Sequence, residues 1–181
     1  MNMANNIIET DKTFLFAALK ERFYFQNFHN QKNDFRIIKF SQFNNKSSKW
    51  DVSLYSAGTY YIAEIKCRKY NSFNYPDWII DESKWSDLNK IRNKYPKDCN
   101  VKLLYINIFL DNKLAIWQLD DINKDELLFQ ERIGRKKTCG NDDTFTNHKE
   151  FLLPNSLCTF YKFKIPSFQE EQEFINNINT R

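Results

Sequence analysis

At 181 residues, with 41% hydrophobic and 17% aromatic content, the chain is sized for one domain with a real core, not two thin ones. Only three glycines and four prolines exclude collagen-like and low-complexity classes. A net charge of +4 permits a polyanionic partner without requiring one, since basic residues only slightly outnumber acidic ones.

In chain order, Thr10 or Asp11 can cap a helix carrying Phe14, Leu15, Ala18, Leu19, Arg22 and Phe23. Its apolar positions recur every three or four residues and form one stripe. Three strands are expected next: Phe35 to Phe40, Val52 to Tyr55, and Tyr60 to Cys67. Ser56-Ala57-Gly58-Thr59 is a short turn, so the last two strands should form a hairpin. Asn71 to Asp81 is a loop, with Trp78-Ile79-Ile80 partly extended. Glu82 to Asn93 should be helical, with Trp85, Leu88 and Ile91 on one face and Pro96 beyond its end.

Val101 to Leu110 is almost continuously apolar, as a strand buried on both faces requires, and should pair with the hairpin in one mixed sheet. Leu114 to Leu119 returns after a turn at Asp111-Asn112-Lys113. Beyond that, Glu131 to Lys149 is polar and charged, the pattern of a long excursion. Cys158 to Ile165 is a candidate last strand and Phe168 to Asn177 a last helix. The expected class is α/β, a mixed β-sheet flanked by helices, in one domain spanning 1–181.

Cys67, Cys99, Cys139 and Cys158 form no C-x-x-C pair, and His29 and His148 lie near none of them, which argues against structural zinc. Residues 1–10 lack the charge pattern of a secretory signal, and no apolar run reaches bilayer length. The expectation is a cytoplasmic chain with reduced thiols and no membrane partner.

The chemistry concentrates in the hairpin. Alternation along a strand puts Glu64 and Lys66 on one face and Ala63, Ile65 and Cys67 on the other. Charged side chains inside an apolar strand are costly unless paired or liganded. Asp51 opens the preceding strand, and the tight turn brings it across from Glu64 and Lys66. Two carboxylates, Asp51 and Glu64, with the Ile65 carbonyl offer the hard oxygen ligands that Mg²⁺ or Mn²⁺ takes, and Lys66 can orient water or offset developing negative charge. An acidic residue two before Lys also occurs at Glu82-Ser83-Lys84 and Asp111-Asn112-Lys113. Those two fall at a helix start and in a turn; only Glu64-Ile65-Lys66 lies inside an apolar strand after an Asp-led hairpin.

An N-terminal helix, Asp at a strand start, Glu-x-Lys on the next strand, a helix and two further strands resemble the PD-(D/E)xK nuclease superfamily over about residues 10–119, with 120–181 as an extension. The resemblance implies a restriction-endonuclease-like core and a Mg²⁺- or Mn²⁺-dependent nuclease. DNA is its expected polymer, with RNA the alternative. Trp50 stands where the family's name has Pro. The family's frequent first-helix acid matches Glu21 best and Glu9 second. A nuclease-like fold used only for binding is the competing reading. A homodimer or a separate targeting partner are the two routes to specificity.

Around this centre, Arg68, Lys69 and Lys84 are candidate phosphate contacts. Trp78 and Trp85 are candidate stacking platforms, with core packing favoured for Trp85. Arg132, Arg135, Lys136 and Lys137 form the densest basic cluster, weighed as a DNA contact or a charged loop. His148 is a lone histidine in a polar segment.

Overall fold

The computed structural model describes residues 3–32, 34–41, 49–135 and 145–179. Helix α1 runs Met3–Lys32, longer at both ends than the apolar stripe implied. Strands β1 (Arg36–Phe40), β2 (Val52–Ser56) and β3 (Thr59–Cys67) form an antiparallel meander. After β4 (Asp77–Asp81) and helix α2 (Glu82–Arg92), strand β5 (Val101–Phe109) lies parallel to β3, and β6 (Lys113–Gln118) antiparallel to β5. The mixed sheet is completed by β9 (Thr159–Lys162) in the order β1-β2-β3-β5-β6-β9. Helix α3 (Phe168–Asn179) follows and packs on α1.

Local chemistry sets these elements. In the β2–β3 turn both Ala57 (φ 46°) and Gly58 (φ 81°) are left-handed, the backbone that a two-residue turn needs to match strand twist. Asn112 (φ 59°) turns β5 into β6, and Asn tolerates that region better than most residues. Asp81 caps α2 by accepting from the Ser83 N–H.

In its described parts the polar stretch 131–149, expected as an excursion, is instead sheet. Strands β7 (Phe129–Arg135) and β8 (Phe145–Pro154) pair antiparallel, and β8 pairs with β4 in a second sheet of order β4-β8-β7. Its polarity marks exposure: Gln130, Glu131, Arg132 and Ile133 on β7 are open to solvent. Residues 136–144, with Lys136, Lys137 and Cys139, lie outside the described residues.

Two cores sandwich the main sheet. On one face Phe25 and Phe28 of α1 pack on Val52, Leu54, Ala63, Ile65, Leu104 and Ile106. On the other, Trp85 and Leu88 of α2 join Ile62, Leu103, Tyr105 and Trp117, with Trp78, Ile80, Phe151 and Leu153 from the second sheet. β5 thus feeds both cores, as its nearly continuous apolar run requires. The Trp117 indole donates to the Pro154 carbonyl at 3.0 Å, joining the sheets. No helix among the described residues is long and apolar enough to cross a membrane.

Candidate active site

Strand alternation puts Ile62, Glu64 and Lys66 on the α2 face of β3. Ile62 contributes to the core there, and Glu64 is 1% exposed. Parallel pairing sets Glu64 beside Tyr105 and Lys66 beside Asn107, both fully buried on β5. A carboxylate so placed needs compensation. Lys66 Nζ lies 2.8 Å from Glu64 Oε1, and Lys84 Nζ, from the first turn of α2, lies 3.1 Å from Oε2. That second contact is ionic only, because Oε2 accepts no aligned hydrogen bond.

Asp51 is held by main-chain bonds on both sides. Its N–H donates to the Ala63 carbonyl at 2.8 Å, and its carbonyl accepts from the Ser41 N–H at 2.9 Å. Arg22 of α1 steadies this end by donating to the Ser41 hydroxyl at 2.8 Å and to the Ser41 carbonyl. Because β2 begins one residue later, no β2 main chain faces Ile65, and the Asp51 carboxyl takes that position, accepting from the Ile65 N–H at 2.7 Å. Ala63 and Ile65 have the same strand parity, so the Ile65 carbonyl projects toward the same side as Asp51.

Glu21 completes the group from α1. Its Oε1 lies 3.8 Å from Lys66 Nζ and accepts from the Cys67 N–H at 3.4 Å. The helix start capped by Asp81 brings in Lys84, and the α1 register brings in Glu21; strand periodicity does not contain either.

The electrostatics differ sharply from group to group. Burial, then the charge of Glu64, pushes the Asp51 carboxyl up to about 8. Burial also opposes ionisation of Glu64, but Lys66 and Lys84 outweigh it and hold Glu64 below the usual range, helped by a hydrogen bond from Asp51. Glu21 is raised, chiefly by burial, with Lys66 opposing and Glu64 reinforcing. Lys66 is raised well above its ordinary value, because Glu64, Glu21 and Asp51 together overcome the cost of burying its ammonium. Burial and the neighbouring charge thus favour the protonated form of Asp51, while the two lysines favour the ionised form of Glu64.

The remaining sequence candidates separate. Arg68 was expected at phosphate, yet its guanidinium is spent internally. It donates to Asn107 Oδ1 (3.0 Å), the Tyr105 hydroxyl (2.7 Å) and the Ile79 carbonyl (3.2 Å), and lies over the Trp78 ring. It is the polar tie between β3, β5 and β4. Trp78 and Trp85 are each 5% exposed, so both are core residues and neither is a surface platform. Lys69 is exposed just past the end of β3. Arg132 pairs with the buried Glu150 at 2.9 Å. Arg135 ends β7, but its side chain, like that of Glu9, is not among those described. His148 Nδ1 lies 2.9 Å from Asp81 Oδ2, beside the α2 cap.

Sequence reasoning passed over Tyr105 and Asn107, the buried polar neighbours of Glu64 and Lys66; polar residues inside the apolar run of β5 were the available signal.

No protein-family model matches the chain, and no curated protein sequence matches it. Among solved structures the chain is similar to Hjc, a Holliday junction resolvase of Archaeoglobus fulgidus. The TM-score is 0.43 at 12% identity, over 73% of this chain and 88% of that one.

Proposed function

We propose that the chain is a divalent-metal-dependent nuclease that hydrolyses phosphodiester bonds, with DNA as the favoured polymer. The observation that carries this is the Asp51–Glu64 pair: two carboxyls brought together at the sheet, Glu64 almost wholly buried, where the charge of Glu64 opposes ionisation of Asp51 and Glu64 Oε2 accepts no aligned hydrogen bond. A divalent cation relieves that repulsion better than a proton does. Among the described residues no three His, Cys, Asp or Glu side chains can chelate one ion. The donors are instead two carboxylates, the Ile65 carbonyl and water. That set suits Mg²⁺ or Mn²⁺, since Mg²⁺ keeps several waters and takes few protein ligands.

A bound cation supplies Lewis acidity at the phosphate and a more acidic water. The protein's own groups do the rest. Lys66, held between Glu64 and Glu21, presents a permanently charged ammonium to the water and to the charge that develops as the phosphorus–oxygen bond to the leaving group breaks. Lys84, on the other oxygen of Glu64, is set to meet a non-bridging phosphate oxygen. Glu21 keeps Lys66 oriented and can receive a proton, since its own affinity for one is raised.

One observation favours the competing reading of a binding module: two lysines already compensate Glu64 without a cation. The deciding experiment incubates wild-type and Glu64→Gln protein with plasmid, single-stranded and branched DNA, and RNA, in Mg²⁺ and in Mn²⁺. Cleavage by wild type and none by the variant is expected. No cleavage of any substrate in either metal overturns the nuclease reading in favour of the module.

A further inference from the structure

β3 does not end at its charged residues. The chain runs on through Cys67, Arg68, Lys69 and Tyr70 into a groove of about 620 Å³ between the two sheets. That volume falls within the roughly 300–1,000 Å³ range of small-ligand pockets. Its floor is Trp78, and Tyr75 stands on it edge-on at 5.4 Å. Tyr70 packs edge-on against Tyr75 at 5.3 Å. Both tyrosines are about half exposed (48% and 45%), and Phe73 in the same loop is 72% exposed. Asp77 and Gln130 line the groove as hydrogen-bonding groups. Lys69 is on its rim, and Lys113 lies over the Phe73 ring at 5.8 Å.

We infer that this groove binds single-stranded nucleic acid, with an unpaired base stacked on the face of one of the two perpendicular rings, Tyr70 or Tyr75, and edge-on to the other, and the backbone led along Lys69 toward Lys66. The inference rests on the reading of the Asp51–Glu64 centre as a phosphodiester site, because that centre gives the adjoining groove a polymer to receive. The composition fits a base and not a phosphate at the pocket's interior. Aromatic faces accept any base, whereas the Asp77 carboxylate repels phosphate and can accept from base amino groups. Of the cations, Arg68 lines the groove but is tied to Asn107, the Tyr105 hydroxyl and the Ile79 carbonyl, whereas Lys69 at the rim and Lys84 at Glu64 lie where the backbone would run. A continuous duplex keeps its bases stacked inside and offers none to this groove, so the substrate class is one with an unpaired strand beside the cut.

The test measures binding of the full chain in EDTA, where cleavage plays no part, by fluorescence anisotropy. The probes are a 20-nucleotide dT oligomer, its rU counterpart, a dT oligomer with abasic central positions, and a 20-bp duplex. Wild type should bind dT more tightly than duplex or the abasic oligomer. The Tyr70→Ala/Tyr75→Ala protein should lose about tenfold or more in dT affinity, with its abasic affinity unchanged, and Tyr70→Phe/Tyr75→Phe should retain wild-type binding. Lys69→Ala should lower the slope of log affinity against log salt by about 0.7. Equal dT and rU affinities place recognition in what the two share, the pyrimidine face, and a preference for either reports the 2′-hydroxyl or the thymine methyl; both support the groove. Duplex binding as tight as dT, or wild type binding the abasic oligomer as tightly as dT, overturns the inference without any variant. So does full dT affinity in a folded Ala variant. Strong dT binding with no cleavage in Mg²⁺ or Mn²⁺ overturns the hydrolase reading and leaves the groove assignment standing.

Discussion

Lys66→Ala separates a catalytic lysine from a structural one, because the structure lets both costs be worked out. Lys66 Nζ lies 2.8 Å from Glu64, whose side chain is 2% exposed, while Lys66 itself is 38% exposed. Orphaning a fully buried charge costs about 3–5 kcal/mol. Here Glu64 keeps Lys84 at 3.1 Å, and water reaches the vacated position, so about 1–2 kcal/mol is the expected loss. For a chain of this length that is a fall in Tm of roughly 2–8 °C. A domain with about 5–15 kcal/mol of stability stays folded at 25 °C after such a loss. On the proposed mechanism turnover should nevertheless fall by about a hundredfold or more, because the ammonium would act on charge that exists only in the transition state. The assay is single-turnover oligonucleotide cleavage at 25 °C in saturating Mg²⁺, beside a thermal melt and an anisotropy titration of the same protein. Cleavage at the wild-type rate refutes the assigned role. A rate loss that vanishes once the melt-derived folded fraction is allowed for refutes it equally, since it makes Lys66 a structural partner of Glu64.

Three further outcomes follow from the same geometry. Asp51→Asn keeps an acceptor for the Ile65 N–H but cannot offer a second carboxylate, so calorimetry should show loss of Mn²⁺ binding with little change in metal-free Tm; wild-type affinity in the variant would remove the site. The folded Asp51 carboxyl titrates near 8 against 3.8 for its ordinary value, so the folded chain holds a proton that the unfolded chain releases. Metal-free stability should therefore fall as pH rises from about 4 to about 8, and Mg²⁺, by displacing that proton, should oppose the fall; melts across this range in EDTA and in Mg²⁺ should diverge with rising pH, and parallel curves would contradict it. Arg68→Ala should destabilise the protein by about 2–4 kcal/mol, because the guanidinium serves three internal acceptors. Its salt-dependent DNA affinity should hardly change; a lowered salt slope in a stable variant would restore Arg68 to the phosphate contacts.

The local elements of the core were written in residue order. Alternation put Glu64 and Lys66 on one face of β3, the Ala57-Gly58 turn set the hairpin register, and the apolar run of β5 required a strand covered on both faces. These are short-range properties, governed by periods of 2 and 3.6 residues, and they suffice to bring the Asp51 carboxyl to the Ile65 N–H. Position along the chain says nothing about which distant groups share a site. Glu21 reaches Lys66 because α1 crosses the sheet at that height, and Lys84 reaches Glu64 because α2 starts over β3. The same limit explains Arg68 and the stretch 131–149. A cation at a strand end has the same sequence signature whether it faces water or three internal acceptors. A polar segment, likewise, is sheet only if another strand offers its backbone, as β4 and β8 do through long-range pairing. Backbone hydrogen bonds across a sheet are indifferent to side-chain polarity, so the partner, and not the local pattern, decided that these residues form strands.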